Sequence, residues 1–460
     1  MTHLELDVNR WAQQQFGTCS LGDRRRTRRA VRVASQFAAD PSGSTTKQTE
    51  SWADCKAVYR LFDEEDVTFR ALAEPHWRQT QGRTSGHYLL LGDTTTLDFG
   101  AHRNVDGLSA VGNGGGRGFL LHSSLMVNAE NDEIVGLAGQ TIYHRQPVPK
   151  GETFRKRLAR PRESKIWGEV IELAGPAPQG VQFTHVFDRG ADNFEVYCRL
   201  VLNRAGWVVR AAQLKRLVQT SGEKRQLREY LDGLPVRGTY QLTVRANKKQ
   251  PARTSQVEVR FGTLLMPSPR DCGAFVRECG IVSIGMNVVE AREVNPPRGA
   301  TPLRWVLLTS LPVKSFEAAW RVIEHYEKRP LIEEFHKALK TGCRLEQRQY
   351  RTSKRLEALT GVLSILAVRL LQLKTVARVD PERPAARVVP ARWLQMLRCV
   401  QKGKRRTIRT VRDFYHGLAR LGGWLDRRGD GEPGWITLWQ GFEKLHNFLR
   451  GADAVRLKCG

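Results

Sequence analysis

Two aspartates occupy positions where the surrounding sequence predicts buried β-strands. Asp93 follows the run LLLG, and Asp188 follows the run THVF. A carboxylate on a buried strand destabilises the fold by several kcal/mol unless it is ion-paired or binds a metal. Each aspartate alone is equally well explained as a helix cap or a salt-bridge partner, but two in one domain indicate a functional site. By sequence alone, Asp98 and Asp192 are rival ligands.

The segment 326–340, YEKRPLIEEFHKALK, carries the strongest local pattern in the chain. If the segment is one helix, a sector of about 90° centred on Glu333 contains Tyr326, Arg329, Lys337 and Lys340. A Glu–Lys pair on a solvated helix would explain only Glu333 and Lys337. A break at Pro330 would loosen the placement of Tyr326 and Arg329.

Three carboxylates flanked by arginine and lysine suit phosphoryl transfer assisted by two metal ions. Mg²⁺ prefers oxygen ligands and keeps coordination positions open for phosphate oxygens. Two ions stabilise both the attacking and the leaving oxygen of an in-line displacement. Nearby cations neutralise the remaining phosphate charge. The residue types therefore favour a reaction on a phosphate ester.

The charge balance of the whole chain favours the same class of substrate. The 460 residues include 74 lysines and arginines against 47 acids, a net charge of +27. This excess excludes a typical metabolic-enzyme surface and indicates a polyanionic partner, most commonly nucleic acid. The length predicts about two to four domains.

Other features of the sequence predict a cytoplasmic protein. The eight cysteines are scattered without a CxxC pair, which argues against a zinc ribbon or a disulfide scaffold and fits a reducing compartment. The polar N-terminal sequence predicts no signal peptide. The most apolar run, 358–368, is too short to span a bilayer and predicts a buried helix. No membrane partner is therefore expected.

The hydrophobic pattern predicts helices first, then strands with crossover segments, a β-rich insertion and further helices, which together indicate an α/β core. Strands are predicted at 87–99, 121–128, 134–143, 183–187, 206–212 and 304–310. Helices are predicted at 316–326, 331–340, 356–376 and 435–449.

Basic residues outside this core also suggest nucleic-acid contact. A helix capped by Asp23 and running through Ala38 is predicted to carry Arg24, Arg25, Arg28, Arg29 and Arg32 on the face opposite its apolar residues. An arginine stripe without interleaved acids is unfavourable in isolation, which favours DNA or RNA contact over a solvated face by roughly two to one. Arg210 and Lys215 follow a strand edge and could track a phosphate backbone.

The motifs resemble those of bacterial DDE transposases of the insertion-sequence-four superfamily, the cut-and-paste kind that passes through a DNA hairpin. The similar stretches are GDTTTL at Asp93, VFDRGAD at Asp188 and LIEEFHKALKTG at Glu333. The family's spaced Tyr, Arg, Glu and Lys signature is met by Tyr326, Arg329, Glu333 and Lys340. Pro330 departs from the tryptophan that relatives often carry after the arginine.

The resemblance implies an α/β, RNase H-like mixed-sheet core interrupted by a β-rich insertion and flanked by helical domains. Residues 1–72 would bind transposon ends, and residues 73–375 would form the catalytic domain, with the insertion at about 213–303. Residues 376–460 would form a helical dimerisation domain. The partners implied are the terminal inverted repeats, target DNA and a second copy of the chain.

The resemblance further implies that Asp93, Asp188 and Glu333 are catalytic and hold two Mg²⁺ ions, for which Mn²⁺ can substitute. A metal-bound water would nick the transposon end, and the freed 3′-OH would attack the opposite strand to form a hairpin. After the hairpin is reopened, the same 3′-OH would attack target DNA.

Several residues would contact the distorted DNA on this reading. Tyr326, Arg329 and Lys340 would hold phosphates near the hairpin. Trp305 would stack in the opened end and help to flip a base, although a tryptophan at the start of an apolar strand is usually a core residue. His336 and Lys337 would be secondary contacts. Two rival functions remain: an end-binding DNA regulator, and an RNase H-like nuclease without strand transfer.

Overall fold

The structure is a computed structural model that describes most of the chain. The described residues are 7–100, 105–112, 114–153, 156, 163–220, 222–244, 252–297, 302–401, 407–427 and 429–459. The first elements are helices α1 (Val8–Phe16), α2 (Arg24–Ala39), α3 (Thr45–Gln48), α4 (Trp52–Asp63) and α5 (Phe69–Gln81). Asp23 caps α2 as predicted: its side chain accepts a hydrogen bond from the Arg25 N–H at 2.7 Å, which satisfies a free donor of the first turn.

The described residues form one mixed sheet of twelve strands. In chain order these are β1 (Gly86–Asp98), β2 (Ser109–Val111), β3 (Gly116–Asn128), β4 (Ile134–Tyr143), β5 (Val181–Phe187), β6 (Gly206–Arg210), β7 (Leu217–Thr220), β8 (Glu223–Gln226), β9 (Gly238–Val244), β10 (Arg253–Pro267), β11 (Ser283–Glu293) and β12 (Arg304–Thr309). Their order across the sheet is β2-β3-β1-β5-β6-β12-β11-β10-β7-β8, with β4 paired to β3 and β9 paired to β10.

The central strands carry both aspartates to the same edge of the sheet. β1 is parallel to β5, and β5 is parallel to β6. Leu91 of β1 lies opposite Val186 of β5, and Asp93 and Asp188 each follow two residues later. Because neighbouring parallel strands end at a common edge, the two carboxylates are placed close together.

The β-rich insertion extends this sheet instead of forming a separate one. β12 is antiparallel to β6, and β11, β10, β7 and β8 continue outwards from it. The remaining helices are α6 (Ile166–Ala174), α7 (Phe194–Leu202), α8 (Leu227–Asp232), α9 (Ala274–Glu278), α10 (Phe316–Glu327), α11 (Pro330–Lys337), α12 (Ser353–Val379), α13 (Ala391–Val400), α14 (Val411–Leu421) and α15 (Trp435–Cys459). A mixed sheet between two helical regions confirms the predicted α/β fold with an RNase H-like core.

The predicted helices 316–326 and 331–340 are confirmed as two separate helices, so the alternative of one helix across 326–340 does not hold. Helix α10 ends at Glu327, α11 begins at Pro330, and a π-helical turn follows at Ala338–Gly342. Proline has no N–H to donate into a preceding turn, so it is tolerated in the first turn of a helix but not in its interior. Tyr326 therefore belongs to the helix before the one that carries Glu333.

The apolar run at 358–368 lies within the predicted helix 356–376, which the structure extends to Ser353–Val379. Helix α12 has 27 residues and continues past Arg369, which is buried with its guanidinium 5.1 Å from the centre of the Trp11 ring. Among the described helices, Ser353–Ala377 alone is long and apolar enough to cross a membrane, but 89% of its most apolar window is buried inside the protein. This burial is typical of the central helix of a folded domain.

Candidate active site and DNA-contact residues

Asp93, Asp188 and Glu333 converge on the side chain of Arg329. Asp93 lies in β1, Asp188 directly follows β5, and Glu333 lies in the first turn of α11. One terminal nitrogen of Arg329, Nη2, lies 3.1 Å from Asp93 Oδ1 and 3.2 Å from Asp188 Oδ2. The other, Nη1, lies 2.8 Å from Glu333 Oε1. The structure thus brings together the three carboxylates that the sequence singled out.

The turn between α10 and α11 positions the guanidinium among these acids. Arg329 directly precedes Pro330, the first residue of α11, and only 14% of its side chain is exposed. Ile332 and Phe335 are fully buried, and α11 packs on β1 and β3 through this apolar face. Glu333 lies on the other side of the helix, so core packing fixes the position of its carboxylate.

Asp93 is the most buried of the three carboxylates, with 17% of its side chain exposed against 34% for Asp188 and 47% for Glu333. Burial raises the pKa of Asp93 to about 6. The charge of Arg329 and a hydrogen bond from the Thr94 N–H, 2.9 Å from Asp93 Oδ1, oppose the rise. The charges of the other two carboxylates add to it. A cation near Asp93 is therefore electrostatically favourable.

The donor set suits a hard divalent cation such as Mg²⁺ or Mn²⁺, because it consists of carboxylate oxygens. Oxygens of Asp93 and Asp188 lie within 3.2 Å of one nitrogen of Arg329, so these side chains already enclose a positive charge. Among the described residues, no group of three or more His, Cys, Asp or Glu side chains is arranged to hold a metal ion. The guanidinium separates the carboxylates in this arrangement.

Replacing Asp93 by asparagine should stabilise the metal-free protein at pH 8. The folded-state pKa of Asp93 is about 6, above its ordinary value of 3.8, so the stability linked to its protonation is present below pH 3.8 and is lost as the pH rises through about 6. Asparagine stays neutral, so the free energy of unfolding should rise by about 2 kcal/mol at pH 8 and hardly change near pH 4. Chemical denaturation at both pH values measures the difference. An equal effect at both would contradict the buried, charge-sensitive position of Asp93.

Tyr326, Trp305 and Arg210 form a second group beside Arg329. The rings of Tyr326 and Trp305 pack edge to face with centroids 5.4 Å apart. Burial raises the pKa of Tyr326, while the nearby charges of Arg210 and Arg329 oppose the rise. Arg210 also donates to the Arg304 backbone oxygen at 3.2 Å. Three of the predicted DNA-contact residues thus lie next to the carboxylates.

The other predicted DNA-contact residues near Glu333 differ in their exposure and contacts. Lys337 is exposed, and Lys340 Nζ lies 3.2 Å from Glu346 Oε1. His336 is buried, and its Nδ1 is 3.9 Å from Asp93 Oδ2. Burial lowers the pKa of His336 to about 3, with further lowering by the charges of nearby cations. His336 therefore faces the carboxylates rather than open surface, and its role as a DNA contact stays a prediction.

The arginine stripe of α2 is partly neutralised inside the protein. Arg29 and Arg32 contact Asp54 of α4 at 2.9 and 3.0 Å, and Arg25 contacts Asp23 at 2.9 Å. Acids of the protein itself therefore neutralise part of the stripe. These acids lie outside the stripe in sequence and reach it through helix packing and the α2 cap.

Arg24, Arg28 and Lys215 are exposed. Arg25, Arg29 and Arg32 form salt bridges. Within the part of the chain that the structure describes, none is found for Arg24 or Arg28. These two arginines are consequently the side chains of α2 that are most readily available to phosphate. Lys215 lies on the segment between β6 and β7, and its predicted DNA contact stays a prediction.

Asp192, the rival ligand near Asp188, is already saturated by donors from the protein. Its side chain is fully buried and accepts hydrogen bonds from Tyr197 Oη at 2.9 Å, the Ala212 N–H at 2.6 Å and Arg216 Nη1 at 2.6 Å. These bonds tie the loop after β5 to the segment before β7. Asp192 therefore positions the Asp188 loop, which the sequence alone did not reveal.

His122 is a second residue that lies near the site. It is fully buried opposite Thr94 in the β1–β3 pair, and its Nδ1 lies 2.8 Å from Thr94 Oγ1. Its ring packs edge to face on Trp167, with centroids 4.3 Å apart. Thr94 and His122 are brought together by the register of β1 and β3, which the sequence does not show. Asp98, the other rival ligand, is exposed and is not among the carboxylates around Arg329.

Two protein-family models match the chain, one towards each end. Residues 8–67 match a model described as Transposase DNA-binding, and residues 365–459 match the Transposase Tn5 dimerisation domain. The two ends of the chain are thus similar to a DNA-binding domain and to a dimerisation domain of transposases. Both matches agree with the resemblance of the sequence motifs. The three carboxylates lie between the two matched regions.

Proposed function

We propose that the chain catalyses cut-and-paste DNA transposition and that Asp93, Asp188 and Glu333 carry out both the cutting and the joining. The convergence of these three carboxylates on Arg329 is the observation that carries the proposal. Their position between a DNA-binding match and a dimerisation match supports it. The substrates would be the terminal inverted repeats of a transposon and a target duplex.

The three carboxylates would hold two Mg²⁺ ions, or Mn²⁺ in their place, through their oxygens. When bound, these ions activate water and stabilise the attacking and leaving oxygens of the phosphodiester. The chain's own cations would do the rest: Arg329 and Lys340 would bind phosphate oxygens, and the Tyr326 hydroxyl would donate to one. Lys337, exposed on the same helix as Glu333, would bind the backbone of the same strand.

Excision would pass through a DNA hairpin, as the resemblance to hairpin-forming transposases implies. The 3′-OH freed by the first nick would attack the opposite strand, and the reopened end would then attack target DNA. Two copies of the chain would hold the paired ends through their C-terminal regions. The protein would act in the cytoplasm, on the nucleoid.

Labelled duplexes that carry the repeats flanking the gene test this proposal directly. Incubation with the protein and Mg²⁺ should yield a nick, then a hairpin and, with a target plasmid present, a joined product. Binding without cleavage in Mg²⁺ or Mn²⁺ would instead support an end-binding regulator. Cleavage without joining would support an RNase H-like nuclease.

Replacing Trp305 by alanine should slow hairpin formation about tenfold more than the first nick, the effect expected from losing one base-stacking contact. The reason is that only the hairpin step needs a base to leave the duplex stack. Trp305→Phe keeps an aromatic face beside Tyr326 and should restore most of the rate. Quantifying both products over time on denaturing gels separates the steps. Equal slowing of both would show that Trp305 serves the core instead.

A further inference from the structure

Arg329 occupies the place in the carboxylate cluster that a metal ion would need. Its guanidinium contacts all three acids at 2.8 to 3.2 Å. Asp93 Oδ1 and Asp188 Oδ2 both contact Nη2 of Arg329, so both oxygens are directed at one positive charge. Divalent ions of the Mg²⁺ class bind carboxylate oxygens at about 2.1 Å, which leaves no room for the guanidinium between them.

Charge repulsion also indicates that Arg329 and a metal ion do not bind the same oxygens together. A guanidinium and a divalent cation repel each other, and here they would compete for the same oxygens in a site where the arginine is only 14% exposed. Metal binding at these oxygens therefore requires that Arg329 leaves them. Without metal, the arginine offsets the mutual repulsion of the acids, which otherwise raises the pKa of Asp93 further.

The surroundings of Arg329 allow such a movement. The residue lies in the short break between α10 and α11, outside both helices. Its Nε is buried without a hydrogen-bond partner, and the side-chain contacts found for its guanidinium among the described residues are those to the three acids. Tyr326 and Arg210 lie on one side of it, where phosphate of a bound strand would also find cations.

We propose that Arg329 is a displaceable counter-ion of the carboxylate cluster, which divalent metal expels and which DNA phosphate then captures. This inference rests on the proposed function, since it needs both a metal and a phosphate at the site. Metal and DNA then strengthen each other's binding. Metal releases Arg329 from the carboxylates so that it can bind phosphate, and phosphate holds Arg329 away from the oxygens that the metal needs. Such coupling is reciprocal: DNA should tighten metal binding by the same factor as metal tightens DNA binding.

Calorimetric titration of Mn²⁺ into the full-length protein without DNA tests the displacement step. Arg329→Ala should bind Mn²⁺ about tenfold more tightly than the unchanged protein, within the usual range of coupling between two ligands. Arg329→Gln, which is closer in size, should behave alike. Arg321→Ala is the matched control: it removes an exposed charge from α10 and should leave Mn²⁺ affinity unchanged.

A second titration includes a duplex that carries the terminal repeat. The duplex should tighten Mn²⁺ binding to the unchanged protein and have much less effect on Arg329→Ala, whose site needs no clearing. Thermal unfolding of each variant establishes that it is folded before titration.

The outcomes distinguish the counter-ion role of Arg329 from the metal site itself. If Arg329→Ala and Arg329→Gln bind Mn²⁺ no more tightly than the unchanged protein, while Asp188→Asn weakens binding, the metal site stands and the counter-ion role is wrong. If Asp188→Asn and Glu333→Gln leave Mn²⁺ binding unchanged, the metal site of the proposed function is wrong as well.

Discussion

Replacing Glu333 by glutamine should reduce cleavage of transposon ends by about a thousandfold, a loss in line with removing one preorganised charge from a metal-assisted site. The substitution removes a negative charge and an oxygen that we propose binds metal, at the position that contacts Arg329 at 2.8 Å. The side chain is 47% exposed, so the core of α11 should be undisturbed. Binding of the DNA ends should persist, because the DNA-binding match covers residues 8–67.

The matched control for this substitution is Glu327→Gln. Glu327 is exposed at the end of α10, and its change to glutamine has the same chemistry and the same charge difference. Cleavage by this control should stay near that of the unchanged protein. Gel-shift titration and a cleavage time course on the same labelled ends give both quantities. Cleavage by Glu333→Gln at an undiminished rate would remove Glu333 from the catalytic site.

Replacing Arg24 and Arg28 together by alanine should weaken end binding by roughly ten- to a hundredfold at low salt and reduce the salt slope of log affinity by about two units, one for each lost phosphate contact. These two arginines are exposed on α2. Their neighbours Arg29 and Arg32 are held by Asp54. The exposed pair should therefore provide most of the electrostatic attraction from this helix.

Arg25→Ala on the same helix provides the comparison for this double variant. Arg25 is exposed, but Asp23 already neutralises it at 2.9 Å, so its loss should change the slope by well under one unit. Fluorescence anisotropy with labelled ends at a series of salt concentrations measures both. An unchanged slope in the double variant would place the phosphate contacts on another face of the protein.

The strands around the aspartates could be predicted closely because their pattern is local. An apolar run that ends in a single aspartate is visible in a few residues, and the predicted strand 134–143 matches β4 residue for residue. The same holds for α2, because its cap and its apolar face lie within one short window. The two aspartates were singled out for the same reason, whereas Glu333 was singled out by its spacing to Tyr326, Arg329 and Lys340.

The packing of helices and strands against one another could not be predicted from such local patterns. The spacing would place Tyr326 on the same face as Glu333 only if 326–340 were one helix, but Pro330 starts a new helix and Tyr326 lies on α10 beside Trp305. The cluster around Arg329 depends on three elements that are far apart in sequence. The contact of the buried Arg369 with the Trp11 ring shows the same limit, since it joins residues that are far apart in sequence.

Strand joining with pre-cut ends tests most directly the central claim that one carboxylate site both cuts and joins DNA. Ends that already carry a free 3′-OH are incubated with a target plasmid, Mg²⁺ and Asp93→Asn, Asp188→Asn or Glu333→Gln, beside Glu327→Gln. The account predicts joining by the unchanged protein and by Glu327→Gln, and none by the other three variants. Joining at the unchanged rate by any of those three would contradict it.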